Sequence, residues 1–386
     1  MSVSATVGVG PVVYSVSVNG VPFGQNMILD ANLHQSWGNH DLFFLRIEWP
    51  LGSMATASTI GTWAVNTPIS IVWGRQPNLN TWYGYLNHSE STNNSDSGTN
   101  TVQMTYACIG TSMVMNSQGN MQWSDVSVTY VAKFIAQKYG FRAVTTPNGY
   151  VFGNEVQNNM SDFEFLKYLA NKYGFRFWAS NSTIYMIQPA TALAGPAQVI
   201  PQFLANKSLV ANDTLRDYTA LQGANLPGAI QANRAVFALD STTGQLYSTA
   251  SNLPVTNRVA IKQDVQPLNV SDALAQVNGW SALNQFMTGA SAMVYGDSTL
   301  YPGKLVDFEG GALPAGSTGY WLVTSTTHNM VNSASGIPQY DRYYTSIEVV
   351  RNSTSGMNLS NVQTVSPEFS PSVLASGAWQ AVLTST

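Results

Sequence analysis

Apolar and polar residues alternate from early in the chain. Val12, Tyr14, Val16 and Val18 fall at every second position and stop at Asn19-Gly20, the dipeptide most favourable to a two-residue hairpin. Phe43 to Trp49, Ile69 to Trp73 and Val102 to Ile109 add further β-branched and aromatic runs, and the polar stretch His88 to Asn100 between two of them predicts a hairpin tip or loop. Short strands broken by frequent turns predict a barrel or sandwich over residues 1–117.

The period changes from 2 to 3.6 over residues 118–195. Phe134-Ile-Ala-Gln-Lys-Tyr-Gly-Phe-Arg142 repeats 34 residues later as Tyr168-Leu-Ala-Asn-Lys-Tyr-Gly-Phe-Arg176. Val128, Val131, Phe134, Ile135 and Tyr139 have helical spacing in the first copy, as do Phe165, Leu166, Leu169 and Tyr173 in the second. Ser161 and Glu164 form a capping box, in which each side chain serves the other residue's backbone amide. Gly140 and Gly174 stand where a helix needs a left-handed stop. Each copy therefore predicts a helix, a glycine stop and an aromatic strand, with Phe175–Trp178 and Thr183–Ile187 making a hairpin. Two copies followed by strands cannot build a helical solenoid.

Alternation resumes over residues 196–352. A long helix interrupts it, predicted to run from Asp272 to Met287, capped by Ser271 and ended by Gly289. Strands are expected at Ser291–Tyr295, Lys304–Glu309, Gly319–Thr327 and Tyr343–Arg351, and residues 353–386 read as an extended or partner-bound tail. The fold class is mainly β with an α+β insert.

Composition changes the picture in one respect. Only 9% of the 386 residues are charged, against about 25% in an average soluble protein. Asn, Ser, Thr and Gln fill the gaps, which fits either a working life inside an assembly, since interface centres are poor in charge, or a plain preference for neutral polar residues. A net charge of −4 offers no basic footprint for tight nucleic-acid binding or for an anionic membrane. The first basic residue is Arg46 and no apolar run approaches 18 residues, so a protein made in a cytoplasm is expected. Cys108, the lone cysteine, sits in an apolar run and reads as a core thiol.

Candidate chemistry is sparse, and no catalytic, cofactor-binding or metal-binding residue is assigned. His34 and His40 with Asp41 have the wrong spacing for a metal site. Gly296-Asp297-Ser298-Thr299-Leu300 resembles an esterase block, but it follows a strand, and His328 has Ser325 where such enzymes keep an Asp, so a turn between strands is expected. For glycoside cleavage, Asp162 and Glu164 are committed to a helix start, and Glu48, Asp307 and Glu309 would have to converge. Trp73, Trp82, Tyr83 and Tyr85 are able to stack on sugars, although alternate positions on strands read as core.

The order of these parts, with Gln157-x-x-x-Ser161-Asp162-Phe163-x-Phe165-Leu166-x-x-Leu169-Ala170-x-x-Tyr173-Gly174 in the insert and Gly296-Asp297-x-x-Leu300-x-Pro302-Gly303 before a late His328, resembles the bacteriophage tail hub proteins. This is the late-control-D-like baseplate hub family, related to the spike proteins of contractile injection systems. The likeness spans most of residues 10 to 352. It implies two tail-tube-like β-barrels flanking a small module similar to peptidoglycan-binding LysM domains. It further implies a structural virion protein without enzymatic activity, forming a homotrimeric, pseudo-hexameric ring between a sixfold tail tube and a threefold tip. Implied neighbours are its own copies, the tail tube protein above, a tip, spike or fibre protein below and the tape measure protein, with DNA only in transit. The implied location is the virion tail, assembled in the host cytoplasm. The alternative is a tail-tip protein that binds or degrades cell wall.

Overall fold

The computed structural model describes residues 3–6, 11–22, 28–50, 63–94, 101–147, 149–189, 192–193, 199–205, 215–221, 236–239, 246–249, 260–261, 269–283, 286, 288–331, 342–351 and 364–365. The architecture is mainly β with a small α+β insert, as expected.

The first half contains β1 (Val3–Thr6), β2 (Val12–Val18), β3 (Val21–Pro22), β4 (Ile28–Ser36), β5 (Leu42–Pro50), β6 (Pro68–Arg75), β7 (Asn78–Asn94) and β8 (Thr101–Gly110). Asn19 and Gly20 both take left-handed φ (50° and 77°), which closes the two-residue turn between β2 and β3 with Val18 opposite Val21. The sheet order is β4-β5-β8-β7-β6-β2. Strands from both ends of this series supply one core, with Val16 of β2, Leu33 of β4, Phe43 and Leu45 of β5, Ile71 and Trp73 of β6 and Trp82 of β7 all buried together. The sheet must therefore curl on itself.

The polar run His88 to Asn100 departs from expectation. His88–Asn94 continues β7 beyond a bulge at Leu86/His88 and pairs with β8, and residues 95–100 lie outside the described residues. Backbone pairing with β8 is enough to hold this extension, and its side chains from Asn87 to Ser91 stay exposed.

The insert comprises β9 (Gln118–Val126), α1 (Val128–Lys138), β10 (Arg142–Thr145), β11 (Phe152–Ser161), α2 (Asp162–Tyr173), β12 (Arg176–Ser180) and β13 (Thr183–Ile187). β9 and β11 form an antiparallel ribbon, and β13 lies between β10 (parallel) and β12 (antiparallel). The Ser161–Glu164 capping box is present at α2. Both glycine stops are left-handed, with φ of 66° at Gly140 and 78° at Gly174. The Phe141 amide donates to the Ala136 carbonyl and the Phe175 amide to Ala170, the same six-to-one closure in each copy. Phe134 is the exception to the predicted buried stripe: it is 39% exposed.

After β14 (Ala192–Leu193) the second half contains β15 (Val199–Leu204), β16 (Leu215–Leu221), a small sheet of β17 (Val236–Leu239), β18 (Leu246–Thr249) and β19 (Ala260–Ile261), then α3 (Val270–Leu283). β20 (Thr288–Tyr295), β21 (Leu305–Glu309), β22 (Gly319–Val331), β23 (Tyr343–Arg351) and β24 (Thr364–Val365) follow. The series β15-β21-β22-β23-β20-β16 again has six strands around one core, with Phe203, Leu215, Val294, Val306, Trp321 and Val349 buried together.

Both expected ends of the long helix shift. Asn269, not Ser271, caps it, its side-chain carbonyl accepting the Asp272 amide at 2.9 Å. Gly289 does not end it either, because β20 pairs with β16 on one side and β23 on the other and draws residues 288–290 into the strand. Of the expected tail, only Thr364–Val365 is among the described residues, and it pairs in parallel with β14.

Two pairings cross the sequence. β1 pairs in parallel with β15, so the first strand of the chain completes the edge of the second half. The carboxyl-terminal part of β22, Ser325 to Val331, pairs with β4, Thr327 facing His34, and joins both six-strand series into one 14-stranded sheet.

Candidate functional site: the seams between the halves and the insert

The esterase-like block lies where the two halves meet. Gly74, at φ 146°, brings the β6–β7 hairpin so close that a Cβ there would stand 2.6 Å from the Ser298 hydroxyl. Ser298 Oγ donates to the Asn78 carbonyl at 2.8 Å, and the Asn80 amide donates to the Ser298 carbonyl at 2.9 Å. Arg75, buried in the same hairpin, donates to the carbonyls of Gly296 (3.2 Å) and Tyr343 (3.1 Å). His328 is fully buried: Nε2 donates to the Leu300 carbonyl at 3.1 Å, leaving Nδ1 to accept from the Tyr343 hydroxyl at 2.9 Å. Burial holds its pKa down at about 4. The serine proton and both imidazole nitrogens are thus committed to backbone and hydroxyl partners other than each other, and the block interlocks the halves as a turn.

A second seam joins the insert to the first half. The Asp41 carboxylate is buried, and its Oδ2 accepts from Ser180 Oγ (2.5 Å), Gln35 Nε2 (2.9 Å) and Trp82 Nε1 (3.2 Å), while Oδ1 has no partner among the described residues. Burial raises its pKa to about 6 against the pull of those three donors. The neighbouring Asn181 amide accepts from the Tyr83 backbone N–H at 3.0 Å and donates to the Thr81 carbonyl at 2.6 Å, so one side chain docks the β12–β13 turn on β7. His40 stacks on Phe163, with ring centres 3.7 Å apart, and bonds to Ser112 and Asn116. Among the described residues no three of His, Cys, Asp and Glu gather to hold a metal.

A third seam joins the insert to the second half, where α2 meets α3. The Tyr173 hydroxyl lies 2.5 Å from Glu155 Oε1 and 3.1 Å from Asp272 Oδ1, Tyr150 donates to Asp272 at 2.7 Å, and Lys172 pairs with Glu155 at 2.6 Å. Burial, then Glu155, pushes the Tyr173 pKa far up, so the phenol stays a donor. Gly174 and Gly279 touch backbone to backbone: a Cβ on Gly174 would fall 2.1 Å from the Gly279 Cα. The Arg176 guanidinium caps α3 through the Leu283 carbonyl at 3.0 Å and lies over the Trp37 ring at 4.6 Å.

The remaining sequence candidates are dispersed. Glu48 lies on β5, with Asp307 and Glu309 on β21, and β4 and β22 stand between those strands. Asp307 accepts from Gln202 at 3.4 Å. Asp162 is paired with Lys138 and Tyr139, and Glu164 with Ser161. Trp73, Trp82 and Tyr85 are core residues, Tyr83 is half-buried, and Cys108 is buried with its thiol pKa raised by desolvation. Sequence reasoning missed Arg75, Gln35 and Asn80. One signal was available for the first: Arg46 and Arg75 are the only basic residues before residue 118, and Arg75 ends an apolar run.

The outward face of the joined sheet carries a groove of about 320 Å³ where β20, β23, β22 and β4 run side by side, lined by His34, Ser325, Thr327, Ser346 and Glu348 among others. Four of its nine lining residues carry hydroxyls, and Ala292, Met293 and Ile347 supply an apolar part. On the same face Arg46 is paired with Asp30.

No family model matches the sequence, and no curated protein matches it either. The fold does have solved counterparts. A tail protein from Neisseria meningitidis MC58 superposes with a TM-score of 0.63 at 11% identity, over 88% of this chain and 96% of that one. The 43 kDa tail protein of prophage MuSo2 from Shewanella oneidensis gives 0.62 at 11% identity, over 89% and 99%. The E. coli c3393 protein, a type VI secretion component described as structurally similar to T4 tail proteins gp27 and gp5, gives 0.52 at 11% identity, over 87% and 76%. The chain has the fold of these tail proteins.

Proposed function

We propose that this protein is a structural hub of a phage tail or baseplate, three copies of which close a pseudo-sixfold ring beneath the tail tube. One observation carries the reading: each chain holds two six-strand units of like construction, joined edge to edge through β4 and β22. Three such chains present six similar units, which is what an adaptor between sixfold and threefold partners requires. The joined face, where Arg46 is paired with Asp30, is the one we assign to the channel, because DNA in transit must slide past without being gripped by fixed positive charge. The partners are then the chain's own copies, tube protein above, a tip or spike protein below, and the tape measure protein. The location is the virion tail, with assembly in the host cytoplasm. The role is structural and needs no catalysis.

Light scattering should give about 125 kDa, three times the 41.7 kDa chain, for the purified protein or its complex with tube protein. Microscopy of tails should place it on the axis as a threefold ring. A density off the axis, or a different rotational order there, would overturn the proposal.

A further inference from the structure

We infer that the surface around Gly140, on the first repeat of the insert, is a berth for an α-helix of another polypeptide chain. The inference rests on the internal repeat and is independent of the hub reading. The two copies share a construction: helix, left-handed glycine, six-to-one closure on the equivalent alanine, and a strand beginning at an arginine beside β13. Their surroundings differ. In the second copy α3 crosses Gly174, and its side facing the insert, Asp272, Ala275, Gln276 and Gly279, recurs at helical spacing with small residues at the contact. In the first copy nothing among the described residues stands within 4 Å of a Cβ placed on Gly140, and the glycine is exposed. The berth that α3 fills at Gly174 has an open equivalent at Gly140.

The helix leading to it is dressed for contact. Tyr130, Phe134 and Gln137 lie in line with Gly140 on the solvent side of α1, and the two aromatic residues are 52% and 39% exposed. Their counterparts in the second copy are occupied, Glu164 in the capping box and Tyr168 bonded to Glu155 and Lys172. Charge points the same way. Residues 121–190 hold six basic and four acidic residues, while the rest of the chain holds ten and sixteen. Lys133 and Lys138 flank the aromatic stripe, and Lys133 is exposed. The occupant is therefore an amphipathic helix with Gly, Ala or Ser at the crossing, apolar residues toward Phe134 and Tyr130, and an acidic residue toward Lys133, since Lys138 is already paired with Asp162. The chain's own α3 is already engaged at α2.

The probe is the one helix known to fit such a berth: a stapled, fluorescent peptide spanning Asn269–Phe286, with Gly279 kept and a benzophenone photo-crosslinker at the neighbouring exposed position 278. Added to the full-length protein, it should bind saturably and crosslink to residues 137–141. Phe134→Glu and Gln137→Arg should each weaken it about tenfold, and Gln137→Arg, at an exposed position, should do so without moving the melting temperature, whereas Phe134 also packs edge-on against Trp123. Crosslinks confined to residues 173–176 would show exchange with the native helix and overturn the inference. So would absence of saturable binding, affinity indifferent to both substitutions, or peptidoglycan fragments binding this face where the peptide does not.

Discussion

Gly140 and Gly174 are the same residue of a repeat, with the same left-handed backbone, yet they carry different consequences. An L-residue at such φ costs about 1 kcal/mol, and that is the whole expected effect of Gly140→Ala. Gly174→Ala adds a methyl against the Gly279 backbone and should lose about 2–4 kcal/mol, overpacking added to strain. Chemical denaturation of both variants checks this, and equal losses would refute the contact. Asp41 shows how environment sets a residue's pH response. Its folded pKa, near 6, lies above the ordinary carboxylate value of 3.8, so the native state holds the proton longer and the group's contribution to stability falls as pH rises from about 4 to 6. His328, held near 4 instead of 6.5, works in the opposite direction, its contribution falling as pH drops from about 6.5 to 4. Asp41→Asn should remove the first slope alone, so the variant gains on the parent by up to about 3 kcal/mol between pH 4 and 6. A difference that stays constant over that range would contradict the assignment.

Elements here are set by local rules wherever those rules go unopposed. The Ser161 box stops α2 at its start, and Ser161→Ala should cost about 1 kcal/mol in thermal or chemical unfolding, through the lost cap on Glu164. Where an element borders another, pairing decides. The carboxyl end of the region around α3 becomes strand because β16 and β23 flank it, and polar His88–Asn94 remains strand because β8 offers its backbone. Arg75 ties elements across the chain, and Arg75→Met would leave the Gly296 and Tyr343 carbonyls short of a donor. A loss of about 3 kcal/mol is expected, readable as a lower denaturant midpoint. A midpoint that does not move would show that the interlock contributes nothing.

At the scale of the molecule, three seams bind three parts: Arg75 and Ser298 between the halves, Asp41 and Asn181 between insert and first half, Tyr173 and Gly174 between insert and second half. The insert is held at two places and is not a module on a tether. Calorimetry should therefore give one cooperative transition for the halves and insert together, with no early melting of the insert. Separate transitions would mean that the seams are too weak to couple the parts.

The β pattern of the halves, the Asn19-Gly20 turn, the capping box, both glycine stops and the repeat were legible in the sequence, because each depends on residues within a few positions of one another. Alternation and spacing report local geometry directly. Long-range pairing was not legible: nothing local says that β1 joins β15, that Thr327 lies opposite His34 on β4, or that Gly279 is the partner of Gly174 rather than of Gly140. The esterase-like block shows the difference most sharply. Its residues were visible as a motif, but their roles were decided by what the fold placed beside them, the Asn78 carbonyl at Ser298 and Leu300 and Tyr343 at His328. Tertiary structure decided these points because hydrogen-bond partners and burial are properties of neighbours in space, and those neighbours lie from 15 residues apart, for Tyr343 and His328, to 220 apart, for Asn78 and Ser298.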